Sequence, residues 1–252
     1  LLQQAVDNLM PRFEYFLVKL RPGLFWHYLQ RVKDTLRVEE EREHPCHTIQ
    51  ARRGKNLLLR VLYYDRKIST EFSHIITDGA GGLEVCRAVI GEYLRLRGVE
   101  VGDWGSIKRP DQKIQPEEFE DSYQRFDDSS LPPPPQLERA FQLPDQLVDP
   151  PWVAITTGIS PIAPLLKLSK ASGVSLTEYL SAIYIEVLHD ALMDLPRPIR
   201  NKRMRPIRLI IPVNARKIFD VHTMRNFILH VTPGIDPRLG SYSFEEILNQ
   251  VH

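Results

Sequence analysis

Cysteine is almost absent from this chain: Cys46 and Cys86 are the two in 252 residues, too few for the disulfide framework of a small secreted domain. An excess of charge of one sign is absent as well. Thirty-three Lys and Arg face 32 Asp and Glu, so no global field draws the chain to nucleic acid or to an anionic membrane. The basic run over residues 197–208 reads as a solvated loop face. No apolar run approaches the ~20 residues of a membrane-spanning helix, and no signal peptide is visible; a soluble, cytoplasmic protein with no nucleic-acid partner is expected. Two chemistries are missing too. There is no Gly-x-Ser-x-Gly elbow, and the glycines at 79–82 lack the Lys-Ser/Thr ending of a phosphate loop. His44, Cys46 and His47 cluster, but Pro45 intervenes and no second ligand pair follows at metal spacing, so no metal site is expected.

What the chain does have is Phe72-Ser73-His74-Ile75-Ile76-Thr77-Asp78-Gly79-Ala80-Gly81-Gly82. Upstream, apolar and β-branched runs over 56–64 and 67–73 flank a polar turn, Tyr64-Asp65-Arg66-Lys67, the pattern of a hairpin. Downstream, Leu83, Cys86, Val89, Ile90, Tyr93 and Leu94 recur at helical spacing over 83–96. His74 is thereby placed where a strand gives way to a helix. Two readings are open: a packed core histidine with Asp78 capping the helix, or a general base that takes a proton at neutral pH and returns it. With no protein nucleophile in view, a base here implies that the substrate's own hydroxyl, amine or thiol attacks.

His74-x-x-x-Asp78-Gly79 resembles the HxxxDG signature of the chloramphenicol acetyltransferase-like superfamily, which embraces nonribosomal-peptide condensation domains, plant acyltransferases, wax-ester synthases and alcohol acetyltransferases. A second stretch is similar to the superfamily's second-lobe pattern: Pro212-Val213-x-x-Arg216, then Asn226-Phe227 before the apolar run 228–231. Condensation domains carry Arg-His-x-x-Leu-Arg after their first helix. Here Arg12 keeps the first arginine, but Phe16-Leu17 stand where the second belongs. That departure leaves the partner of Asp78 open and brings the chain closer to the alcohol acetyltransferase branch. The superfamily's later Asp-Phe-Gly-Trp-Gly motif does not occur.

The resemblance implies an α/β fold, a two-lobe sandwich with a channel between the lobes, here shortened at both ends. Residues 1–98 would form the first lobe, 99–150 a proline-containing crossover, and 151–252 the start of a second lobe. It implies that His74 is the general base, that Asp78 and Gly79 are structural, and that Asn214, Arg216 and Asn226 contribute from the second lobe. The implied reaction moves an acyl group from acyl-CoA, a cosubstrate rather than a bound cofactor, to a small-molecule alcohol or amine. The alternatives are a carrier-protein-dependent condensation-type enzyme and a noncatalytic binding module that kept the fold. A shortened chain with an unfinished sheet is expected to self-associate.

The remaining elements follow from local pattern. A helix is expected over 1–10, stopped near Pro11, and a strand over 13–20. The aromatic segment within 21–35 is expected to pack inside, and 38–43 to be charged and exposed. The stretch 98–150 reads as a long surface crossover with short helical pieces, followed by a strand over 151–159 and a helix over Ile162–Ala171. Ser175 and Glu178 form a capping box for a helix bearing Tyr179, Leu180, Ile183 and Val187. Strands are expected over 207–213 and Ile228–Val231, and a final helix over Phe244–Val251.

Overall fold

The computed structural model describes residues 1–42, 56–149 and 153–252; the His44–Cys46–His47 cluster and Trp152 lie outside them. In chain order the elements are α1 (Leu2–Leu9), β1 (Val18–Pro22), β2 (His27–Arg31), β3 (Val38–Glu40), β4 (Leu59–Tyr64), β5 (Lys67–Phe72), α2 (Gly79–Leu96), α3 (Ser122–Arg125), α4 (Ile162–Ala171), α5 (Leu176–Met193), α6 (Arg197–Arg203), β6 (Ile207–Arg208), β7 (Ile211–Asn214), α7 (Arg216–Phe219), β8 (Ile228–Val231), β9 (Gly234–Ile235) and α8 (Phe244–Val251). This is a mixed α/β protein with small sheets. Among the described residues no helix is long and apolar enough to cross a membrane.

The chain divides into two compact units. The first takes Leu1–Asp127, Asp149–Val153 and Asn214–Ile228; the second takes Asp128–Val148, Ala154–Val213 and Leu229–His252. The division differs from breaks at 98 and 150: residues of the 99–150 segment fall in both units, and Asn214–Ile228 belongs with the first. The physical reason is a set of buried polar ties from those segments to the first unit, described below.

In the first unit β3, β4 and β5 form a sheet in that order, β3 parallel and β5 antiparallel to β4. Leu59 faces Phe72 and Tyr64 faces Lys67, so the turn residues are Asp65 and Arg66, with Asp65 at φ 47°, as a tight hairpin demands. The core collects Val6 and Leu9 from α1, Phe13 and Phe16 from the turn after it, Leu58, Leu59 and Val61 from the β4 region, and Val85, Ala88 and Val89 from α2. Glu92 of α2 is buried yet satisfied: Asn8 Nδ2 of α1 donates to it at 2.6 Å and Arg95 at 2.7 Å, and these bonds hold its carboxyl below the usual carboxylate range despite burial.

Several expectations are corrected here. Residues Met10–Phe16 continue as 3-10 turns rather than opening a strand, because Pro11 sits in the first turn, where its missing N–H costs nothing; the strand starts at Val18. The buried face of α2 is Val85, Ala88, Val89 and Glu92, whereas Leu83 and Ile90 are exposed. The face is turned because Gly82 lies against Phe72 and Gly91 against Trp104, close approaches that larger side chains would block. Val38–Glu40, expected only to be exposed, is a strand paired to β4. The aromatic segment is not packed inside: Leu24, Phe25 and Trp26 are 84%, 88% and 64% exposed at the tip of the β1–β2 hairpin. Residues 153–159, expected in a strand, form none.

The second unit has its own core, with Ala182, Ile185 and Leu192 of α5 against Ile207, Ile235 and the α8 residues Ile247 and Leu248. Its helices begin where capping chemistry says they should. Ser175 accepts from Glu178 N–H while Glu178 accepts from Ser175 N–H, and Ser243 and Glu246 repeat the box. β6 and β9 pair antiparallel, and β7 pairs with β8.

Candidate active site

β5 ends at Phe72 and the chain turns at once. Ser73 N–H donates to the Leu58 carbonyl at 2.8 Å, and Ile76 N–H to the Ser73 carbonyl at 3.1 Å. The turn divides the motif by environment. His74 and Ile75 are exposed, whereas Ile76, Thr77 and Asp78 are buried. The reading of His74 as a packed core histidine is thereby removed.

Asp78 is the N-cap of α2. Its Oδ1 accepts from Ala80 N–H at 3.1 Å and Gly81 N–H at 3.2 Å. Its Oδ2 accepts from Phe227 N–H at 2.9 Å and pairs with Arg216 Nη1 at 2.9 Å. Burial alone would push this carboxyl up. The Phe227 N–H, the Arg216 guanidinium and the Gly81 N–H outweigh it and hold the carboxyl below the ordinary carboxylate value. With both oxygens committed and 1% of its surface exposed, Asp78 ties the start of α2 to Phe227 and Arg216.

The partner left open by the sequence is therefore Arg216. Its guanidinium is itself held in place: Nε donates to the Thr223 carbonyl at 2.6 Å, Nη1 to Asn214 Oδ1 at 3.2 Å, and Nη2 to the Arg225 carbonyl. Two further ties join the same segment to the motif. Thr77 Oγ1 donates to the Met224 carbonyl at 2.6 Å, and Asn226 Nδ2 donates to the His74 carbonyl at 2.6 Å. The structure thus brings His74, Asp78, Asn214, Arg216 and Asn226 together, with Asn214 acting through Arg216. It does not find a steric task for Gly79, where a Cβ would meet open space. The demanding position is Gly81, whose Cβ would collide with Thr77 Oγ1 and lie 2.6 Å from the Met224 carbonyl.

Sequence reasoning missed a second buried pair. Arg12, below α1, donates from Nη1 and Nη2 to Glu118 at 2.8 and 2.6 Å, and Tyr15 Oη donates to the same carboxylate at 2.9 Å. Desolvation would raise the Glu118 carboxyl, but Arg12 and Tyr15 hold it below its ordinary value. Burial, with the Glu118 charge beside it, pushes the Tyr15 phenol up, so it remains a donor. Backbone bonds continue the tie, since Met224 N–H donates to the Glu118 carbonyl at 2.6 Å and Thr223 Oγ1 to the Glu120 carbonyl at 2.7 Å. Behind the Asp78–Arg216 pair lies a cavity of about 590 Å³ walled by Gly81, Glu84, Lys108, Arg216 and His222, among others. His74 is not in its walls.

The fold has solved neighbours. The SgcC5 protein from Streptomyces globisporus, crystallised with (R)-(-)-1-(2-naphthyl)-1,2-ethanediol and sucrose, superposes with a TM-score of 0.54 at 15% identity, covering 99% of this chain and 61% of its own. The tallysomycin biosynthesis protein TlmII superposes with a TM-score of 0.52 at 11% identity, with the same coverage of 99% and 61%. At these identities the likeness is one of fold. The chain spans about three-fifths of the length of these neighbours. No family model matches it, and no curated protein sequence does.

Proposed function

We propose that the chain carries part of the two-lobe fold of the chloramphenicol acetyltransferase-like acyltransferases, and that its parent protein transfers an acyl group from acyl-CoA to a hydroxyl or amine. One observation carries this reading: the loop bearing His74 is clamped through Thr77, Asp78 and the His74 carbonyl, while the imidazole stays exposed. Backbone fixed on all sides with an accessible ring is the arrangement a general base requires.

In the proposed step the acceptor's oxygen or nitrogen attacks the thioester carbonyl as His74 takes its proton. Collapse of the tetrahedral adduct expels the CoA thiolate, and His74 returns the proton to it, leaving ester or amide and free thiol. Such proton transfer contributes about 10²–10⁴-fold, with substrate positioning supplying more. SgcC5 was crystallised with an aryl ethanediol, so alcohols are the acceptors to try first.

The test is thiol release by the full-length parent with acyl-CoA and a panel of alcohols and amines. His74→Ala should lower turnover by about two orders of magnitude or more with an unchanged melting curve. Near-normal turnover in that variant would end the mechanism. Turnover with a carrier-bound acyl group alone would move the assignment to a condensation-type enzyme, and none with either donor would favour a binding module.

A further inference from the structure

The β1–β2 hairpin stands out for what its tip presents. Strand pairing runs from Val18–Arg31 to Pro22–His27, and Gly23 N–H closes the turn onto the Trp26 carbonyl at 2.6 Å. Leu24, Phe25 and Trp26 therefore occupy the bend, and all five residues of β2, including Tyr28 and Leu29, are exposed. Three large apolar side chains share the bend and two more follow in β2, all exposed, more than the single exposed apolar residues any surface carries.

Within the hairpin the charged residues are all basic. Residues 18–33 contain Lys19, Arg21, Arg31 and Lys33 and no Asp or Glu. Lys19 pairs with Asp34 and Arg31 with Glu14, both acids lying outside the hairpin, whereas Arg21 donates to the neutral Gln30 amide at 2.8 Å and Lys33 is exposed. Trp and Tyr settle at the membrane–water boundary, where one end of the ring is apolar and the other wet. Basic residues set back from an apolar tip meet anionic headgroups once the tip enters the acyl boundary. Two copies meeting tip to tip would instead oppose like charges.

We propose that this hairpin is a peripheral membrane anchor: Leu24, Phe25 and Trp26 insert into the interface of an anionic bilayer, with Arg21 and Lys33 on the headgroups. The proposal uses no residue of the His74 loop, so it stands apart from the acyl-transfer reading.

The experiment is cosedimentation of the chain with vesicles of phosphatidylcholine alone and of phosphatidylcholine containing phosphatidylserine, with sedimentation velocity of the chain without lipid. Binding should require phosphatidylserine and weaken with added salt. Phe25→Ser with Trp26→Ser should reduce it by at least about tenfold, and Arg21→Gln with Lys33→Gln by about fivefold per charge, both with unchanged circular dichroism. Brominated lipid should quench the part of the emission that Trp26→Phe removes. Absence of vesicle binding, binding indifferent to both variants, or an unquenched Trp26 would overturn the proposal. So would tip-dependent self-association without vesicle binding, which would assign the face to a second copy.

Discussion

At the scale of single residues, Asp78 and the glycines beside it decide whether the His74 loop holds its shape. Asp78→Asn keeps a capping oxygen but removes the charge facing Arg216. Leaving that guanidinium without its carboxylate should cost about 3 kcal/mol, read as a lower melting temperature of the first unit. The pH dependence follows from the depressed carboxyl. A group that ionises more easily folded than unfolded adds stability that is fully present above its unfolded pKa, about 3.9, and is lost as pH falls through the lower folded value. Wild type should therefore lose this stability in acid, and the Asn variant should show a flatter acid limb. The glycines separate sharply. Gly81→Ala drives a methyl into Thr77 and the Met224 backbone and should destabilise by about 1–3 kcal/mol. Gly79→Ala opens onto free space at a helix start and should be neutral or slightly stabilising. Paired thermal melts decide between this assignment and one in which the glycine of the motif itself is the sterically required one.

Among elements, the short helical stretch Pro116–Phe119 has an effect out of proportion to its length. It belongs to a polar, proline-bearing segment that looks like surface, yet it inserts Glu118 between Arg12 and Tyr15. Truncating one member of a buried pair strands the other charge, at about 3–5 kcal/mol, while replacing both costs far less. Arg12→Leu and Glu118→Leu should each be strongly destabilising and the double variant much less than additive; a chemical-denaturation double-mutant cycle measures the coupling. Additive losses would mean that the two side chains do not depend on one another. Capped helices behave differently. The start signal of α5 lies within four residues of its first turn and was legible from Ser175-x-x-Glu178 alone, whereas α8 was legible only as a helical pattern and its Ser243–Glu246 box appeared with the structure. The β1–β2 hairpin was not: its aromatics match an interior strand in composition, and only the placement of the turn between Gly23 and Trp26 turns them outward.

For the whole molecule, a core in each unit means that stability is not one number. Ile185→Ala empties a fully buried position in the second unit and should cost that unit about 2–5 kcal/mol. Hydrogen-exchange mass spectrometry should then show lost protection along α5 and α8, with α2 and β4 of the first unit protected as in wild type. A uniform loss across both units would show that the cores unfold as one.

By itself the sequence determined those parts of this protein whose cause is local: the hairpin ending ahead of His74, α2 and its Asp78 cap, the Ser175-capped helix and the α/β class. Each rests on hydrophobic spacing or on hydrogen bonds spanning a few residues, and such patterns are written in consecutive letters. It also named Asn214, Arg216 and Asn226 through resemblance, without saying what they touch. Tertiary structure alone decided that Arg216 answers Asp78, that Asn226 holds the His74 carbonyl across 152 residues, and that Arg12 finds Glu118 across 106. A buried charge must be paired, but its partner can come from any element that folding brings within reach, and no local pattern of residues records which one does.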